Sequence, residues 1–193
     1  IRELGPTVDR FAPMPYTALQ SMLDATAPAG QRHYWKSGYA QSLDPGFVDA
    51  LLESGSRRPT PFSQLHLHQM GGAVAHVPDS ASAFGHRDAA FTLNIIGTWT
   101  APGEDASGVA WVRESFSKLE PWLDGAYVNF MSAEGQGRLS EAYDDTTLER
   151  LRAVKGRLDP ENVLRLNQNV APKPSSRRSL QRKPGPAGHD ELR

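Results

Sequence analysis

Gly125-Ala-Tyr127-Val-Asn129-Phe130, followed after a gap by Leu151-Arg-Ala-Val-Lys155-Gly-Arg-Leu-Asp159-Pro160-Glu-Asn162-Val-Leu-Arg165-Leu-Asn167-Gln-Asn169-Val-Ala-Pro172, is the stretch from which the fold is read. Its opening, Tyr127 to Phe130, reads as extended chain, and Gly135-Gln-Gly137 as a flexible turn. Thr146 to Leu158 reads as a helix, because Leu148, Leu151 and Val154 recur at helical spacing on one face. Asp159-Pro160-Glu161-Asn162 stops that helix and starts one more turn. Asn162, Asn167 and Asn169 suit turns, since their short amides bond nearby backbone groups.

Upstream, strands and helices alternate. After Pro13-Met-Pro15, Leu19, Met22 and Leu23 share a helical face, and Pro28-Ala-Gly30 breaks that helix. His33-Tyr34-Trp35-Lys36-Ser37-Gly38-Tyr39 is rich in aromatics that fit a pleated surface and predicts a strand. Asp44-Pro45 supplies an N-cap with proline in the first turn, opening a helix over 46–52 that Gly55 closes. From Phe62 to Val77 the chain alternates, with Gln64, His66, His68 and Met70 on one face and Leu65, Leu67 and Gln69 on the other. This predicts one long strand kinked at Gly71-Gly72. Ala89 to Trp99 alternates as well, and the turn-like 78–88 between them makes an antiparallel pair the simplest connection. Val109, Val112, Phe116 and Leu119 then mark a helical face, and Pro121 kinks or restarts that helix.

The composition is that of an ordinary globular domain. With 193 residues, 38% of them hydrophobic, the chain can bury one sizeable core. A formal charge of −1 gives no bulk attraction to nucleic acid or anionic lipid, and no apolar run is long enough to span a bilayer, so neither partner is expected. Zero cysteines exclude disulfides, thiolate metal sites, cysteine nucleophiles and a cysteinyl–flavin bond within this chain, and leave the compartment open. Ile1-Arg-Glu-Leu-Gly5 has neither the apolar core nor the cleavage site of a secretory signal, so it reads as internal to a longer protein. The stretch 173–193 is rich in Pro, Ser and Arg and has no apolar face, which predicts a disordered basic tail.

The C-terminal stretch resembles the signature of the berberine-bridge-enzyme-like FAD-linked oxidases. Tyr34-Trp35-Lys36-Ser37, Gly71-Gly72-Ala73-Val74, Phe84-Gly-His86-Arg87 and Ala110-Trp111-Val112-Arg113-Glu114 resemble successive blocks of bacterial members in the same order. The resemblance runs from about Leu4 to Pro172. It implies an α+β fold, with a broad antiparallel sheet whose one face is covered by helices and whose other face turns toward flavin and substrate. On this reading residues 1–124 are a substrate-binding domain and 125–172 a berberine-like C-terminal segment. The partner is an upstream FAD-binding domain of the same parent chain, absent from this sequence together with its histidine and cysteine attachment points for flavin.

The implied activity passes hydride from an alcohol or similar small-molecule C–H donor to FAD, with O2 as the final acceptor, while a base takes the proton. Relatives often place a tyrosine base at the end of Tyr-x-Asn-Tyr. Here Tyr127 and Asn129 stand in that pattern but Phe130 ends it, and phenylalanine accepts no proton. The polar strand face offers the alternative: Gln64, His66 and His68 project to one side at roughly 6.6 to 6.8 Å spacing, and imidazole titrates near neutral pH. His66 or His68 is therefore the expected base and Tyr127 the hydrogen-bonding or alternative base. Gln64, His66 and His68 are expected to face substrate. Asn129, placed with Tyr127 against the cofactor, can both donate to and accept from the edge of a flavin ring. The chain on its own is expected to be inactive.

His66-x-His68 also admits a metal-binding hydrolase or cupin-like protein, with His33 or His86 as a third ligand. The sequence places no such ligand and shows no carboxylate at metal-site spacing. The remaining histidines read as surface residues. Trp35, Trp99, Trp111 and Trp122 read as core or interface area, and Lys36 and Arg87 as ion-pair partners.

Overall fold

The computed structural model describes residues 3, 5, 12–22, 24–132 and 138–173. Leu23, the turn at 135–137 and the tail beyond Lys173 lie outside them. Three strands form one antiparallel sheet in the order β1-β3-β2: β1 (Arg32–Ala40), β2 (Gln64–Gln69) and, between them, β3 (Phe91–Trp99). Register pairs Lys36 with Ile95 and Ile95 with Leu65 on one face, and Ser37 with Asn94 and Asn94 with His66 on the other. Because strand side chains alternate, this register sorts the sheet into an apolar face and a polar one.

Helices cover the apolar face. α2 (Pro45–Ser56) joins β1 to β2, and α3 (Asp105–Leu119) follows β3. Phe47, Leu93, Ile95, Trp111, Val112, Phe116 and Leu119 make the core between helices and sheet, joined at its border by Tyr34, Leu65 and Leu123. Trp111 donates its indole N–H to the Ser54 carbonyl at 3.0 Å, which ties α3 to the end of α2. α3 approaches β3 very closely. A Cβ on Gly108 would lie 2.2 Å from the Trp99 ring, and one on Gly97 would lie 2.7 Å from Val112 Cγ2. Both positions therefore have room only for glycine.

Beyond α3 the chain returns along the free edge of β1. Tyr39 and Asp124 exchange both backbone hydrogen bonds at 2.8 Å. Trp35 N–H donates to Ser132 Oγ at 2.7 Å, and Ser132 N–H to the Trp35 carbonyl at 3.1 Å. α4 (Leu139–Ala142) and α5 (Asp145–Leu158) complete the order. Asp144 caps α5 by accepting from the Thr147 N–H and hydroxyl, both at 2.8 Å, and these bonds hold its carboxyl below the usual range. Lys155 and Asp159 pair at the end of α5, and Asp159 also accepts from the Val163 and Leu164 N–H groups, fixing the turn that follows.

Several expectations change in detail. The long strand over 62–77 stops at Gln69: Gly71 and Gly72 take φ +102° and +55°, and residues 73–77 form turns instead of a second run. Tyr127–Phe130 is not extended throughout, since Val128–Phe130 closes a 3-10 turn. α1 (Tyr16–Ser21) forms but buries nothing. Asp44 occupies the N-cap of α2, yet its carboxylate accepts from the Ser42 hydroxyl and not from the helix. Asn162 and Asn167 adopt left-handed φ of 52° and 60°, as their turn chemistry anticipates.

The close approach of α3 to β3 sets a testable cost. Gly108→Ala will lower the unfolding free energy by about 1–3 kcal/mol through overpacking, read from urea denaturation midpoints. Gly85→Ala, whose Cβ meets nothing within 4 Å, will stay within about 0.5 kcal/mol of the parent.

Candidate active site

The polar face carries Gln64, His66 and His68 from β2, Thr92, Asn94, Ile96 and Thr98 from β3, and His33, Trp35, Ser37 and Tyr39 from β1. It is not open to solvent throughout: Ser37, Asn94 and Thr98 are buried. What covers it is the segment after Gly125. Tyr127 N–H donates to Ser37 Oγ at 3.0 Å, and the Ser37 hydroxyl donates back to the Tyr127 carbonyl at 3.2 Å. Phe130 then reaches across the sheet. Its ring lies 5.9 Å from Trp35 on β1 and 5.7 Å from His68 on β2. Tyr127 stands edge-on to Phe130 at 4.9 Å and to Phe84 at 5.7 Å.

These contacts bring the histidine-bearing strand and the Tyr127 segment to one cleft of about 520 Å³. Among the described residues it is lined by His68, Gln69, Met70, Gly71, Gly72, Val74, Phe84, Thr92, Tyr127 and Phe130, with no carboxylate, lysine or arginine. Met70 lies against Thr92, whose hydroxyl donates to its sulfur at 2.7 Å. Gln64 and His66 share the face but lie outside the cleft wall, further along β2. Asn129 is exposed, and its amide N–H donates to the Tyr127 hydroxyl at 2.7 Å. Reading the sequence missed Phe84, Met70 and the bridging role of Phe130. Met70 shares strand parity with His68, which was a usable signal, whereas the reach of Phe130 across three strands leaves no local trace.

The histidines differ in their surroundings. Burial pushes His66 below the ordinary imidazole range, and the neighbouring His68, edge-on at 5.7 Å, adds to this. His33 is also lowered by burial and sits 3.1 Å from the Thr98 hydroxyl. His86 stacks on Tyr39 at 4.6 Å, away from the His66–His68 pair. Burial, with the nearby Tyr127, pushes Tyr39 up to about 12, so it remains protonated and is not a base at neutral pH. Among the described residues no group of three His, Asp or Glu side chains could hold a metal ion, so a His-x-His metal centre gains no third ligand. Also among them, no helix is long and apolar enough to cross a membrane.

Residues 126–171 match the family described as "Berberine and berberine like". The chain is 25% identical to an FAD-linked oxidoreductase of Dictyostelium discoideum over 86% of its own length and 37% of the relative. It is 37% identical to the FAD-linked oxidoreductase YgaK of Bacillus subtilis over 63% of this chain and 26% of the relative. The fold matches the structure of BBE-like #28 from Arabidopsis thaliana with a TM-score of 0.64 at 20% identity, covering 75% of this chain and 34% of that one. The chain thus spans between about a quarter and just over a third of these relatives. These findings bear out the resemblance read from the sequence: the chain is similar over its C-terminal segment to the berberine-like family and over most of its length to part of FAD-linked oxidoreductases, its fold is α+β, and FAD is the cofactor those relatives lead one to expect.

The polar face fits that cofactor in chemistry. Its exposed hydrogen-bonding groups are uncharged amides, imidazoles and a phenol, suited to the carbonyl and N–H edge of a flat neutral heteroaromatic ring. The buried Asn94 Oδ1 has no hydrogen-bond partner among the described residues. Tyr127 and Asn129 present a phenol and an amide of this kind, joined by a hydrogen bond of 2.7 Å.

The lowered histidines predict an acid-sensitive fold. A histidine whose pKa is lower folded than unfolded contributes stability that is present above the unfolded value and is lost as pH falls. Denaturation midpoints will therefore fall between about pH 7 and pH 5, spanning the ordinary imidazole value of about 6.5. The slope will flatten in His66→Gln, and a parent protein with no slope in that window would contradict the assignment.

Proposed function

We propose that the chain is the substrate side of an FAD-dependent oxidoreductase, with its polar sheet face and the Tyr127–Asn129 segment turned toward the flavin of an upstream domain of the same parent chain. An alcohol or similar C–H donor reacts between the two. The observation that carries this reading is the uncharged cleft shared by His68 and Tyr127, on a chain related to FAD-linked oxidoreductases. A bound FAD would supply the hydride acceptor for the substrate carbon, with dioxygen as the final electron acceptor and hydrogen peroxide as its product.

The chain's own residues handle the substrate and its proton. As the C–H bond breaks and the carbonyl forms, the hydroxyl proton passes to a base. His68, in the cleft wall, is that base in the first instance, and His66 is the next imidazole along the strand. Tyr127 accepts a hydrogen bond from Asn129, which leaves its own phenolic proton free to donate to a substrate oxygen. Phe130 and Phe84 give the substrate an apolar wall and exclude water from the reacting atoms.

A chain lacking the flavin domain leaves this face without its partner. The turn after α5 also exposes Val163, Leu164 and Leu166, an apolar ridge suited to a domain interface. The isolated chain is therefore inactive in this account, and it retains no stoichiometric FAD.

The test joins the chain to its FAD-binding domain and follows flavin bleaching under anaerobic conditions, then peroxide release in air, across a panel of alcohols. An oxidised flavin spectrum bleached by substrate is expected, and His68→Ala should slow bleaching by about 10²–10⁴-fold, as for loss of a general base. A flavin-loaded protein in which His68→Ala and His66→Ala both react at the parent rate would remove the imidazoles from the mechanism.

A further inference from the structure

Gln64 stands at the start of β2, two residues before His66 on the same face. Its amide is engaged at both ends. Nε2 lies 3.1 Å from the Phe62 carbonyl, and Oε1 lies 2.6 Å from His66 Nε2. The donor and acceptor roles follow without ambiguity. A backbone carbonyl only accepts, so the group facing Phe62 must be the NH2 of Gln64. That orientation leaves the amide oxygen, also an acceptor only, toward His66. The ring nitrogen 2.6 Å from it must then carry a proton.

We propose that Gln64 is a positioning residue that locks His66 as its Nε2–H tautomer, so that Nδ1 is the single nitrogen through which His66 takes or gives a proton. This rests on the oxidoreductase reading only for its functional meaning; the clamp itself is a property of β2. It gives Gln64 a role different from direct contact with substrate, since its amide oxygen and one of its N–H groups are already engaged by His66 and Phe62. It also gives His66 a fixed sense. When a proton arrives at Nδ1, the Nε2–H to Gln64 bond is kept and strengthened by the new charge, and no ring flip is required. Among the described residues His68 is the titratable side chain that faces His66, edge-on at 5.7 Å, so the hydrogen-bonded ladder from Phe62 through Gln64 ends at His66, one ring contact from the imidazole in the cleft wall.

The test is a long-range proton–nitrogen correlation spectrum of the uniformly ¹⁵N-labelled 193-residue chain, recorded above the titration range of His66. The native chain should show His66 with a fully protonated Nε2 and a fully unprotonated Nδ1, without averaging. Gln64→Leu should draw the two nitrogen shifts toward each other as the tautomers exchange, with the His68 pattern unchanged. Gln64→Glu keeps an acceptor in place and adds a charge, so it should raise the His66 titration midpoint by about one to three pH units. A native His66 protonated at Nδ1, an averaged native spectrum, a Gln64→Leu pattern identical to the parent, or an unmoved midpoint in Gln64→Glu would each overturn the clamp. Should Gln64→Leu fail to fold, the native spectrum and Gln64→Glu decide. The readout needs neither flavin nor substrate. A locked His66 in a protein inactive with FAD would therefore sink the oxidoreductase reading alone, and an unlocked His66 in an active one would sink the clamp alone.

Discussion

The fold turns on burying β3 from both sides. Every residue from Thr92 to Trp99 is buried, although half of them belong to the polar face. On the apolar side this follows from ordinary packing, with α3 brought close by Gly97 and Gly108. On the polar side it requires the segment after Gly125 to fold back over the sheet. Ser37 grips the backbone of Tyr127 on both its N–H and its carbonyl, and Phe130 spans from Trp35 to His68. A strand edge and an aromatic bridge thus convert a polar sheet face into a walled cleft. Free polar groups on such a face would otherwise be satisfied by water, and burying them without partners costs free energy.

The same arrangement explains why the cleft lies over β2 and not over the centre of the sheet. β3 occupies the middle and is covered, whereas β2 is short, at the sheet's edge, and ends at Gly71-Gly72. Those two glycines take left-handed φ values that turn the chain away from the ladder, and the turns that follow bring Val74 to the cleft wall. The site is therefore built where regular pairing stops, with rigid strand residues on one side and loop residues on the other. Two neighbouring imidazoles stand there in different environments, His66 partly buried and His68 exposed at the wall.

Much of this was legible in the residues themselves. The period-2 alternation of Gln64-Leu-His66-Leu-His68 placed the histidines together on one face, and helical spacing located α3 and α5 within a few residues. The resemblance gave the α+β class correctly, and it pointed to FAD, the cofactor named for the relatives. Local pattern failed where tertiary contacts decide. Ala73-Val74-Ala75-His76-Val77 has strand-like composition, but with two left-handed glycines before it, and no strand among the described residues to pair with, it forms turns. Tyr127–Phe130 has the composition of a strand and closes a 3-10 turn, because its backbone is anchored to Ser37 and its aromatic ring is drawn across the sheet. The pairing of Phe130 with His68, 62 positions apart in the sequence, is set by the return of the chain along β1, which no window of sequence displays.

The central claim is that the polar sheet face, and not the helical face, meets the flavin. A crystal structure of the chain joined to its FAD-binding domain, with FAD bound, tests it most directly. The account places the isoalloxazine in van der Waals contact, at about 3.5–4 Å, with the wall carrying His68, Tyr127 and Phe130. A ring seated against α2 and α3, or one separated from that wall by an intervening layer of protein, would contradict it.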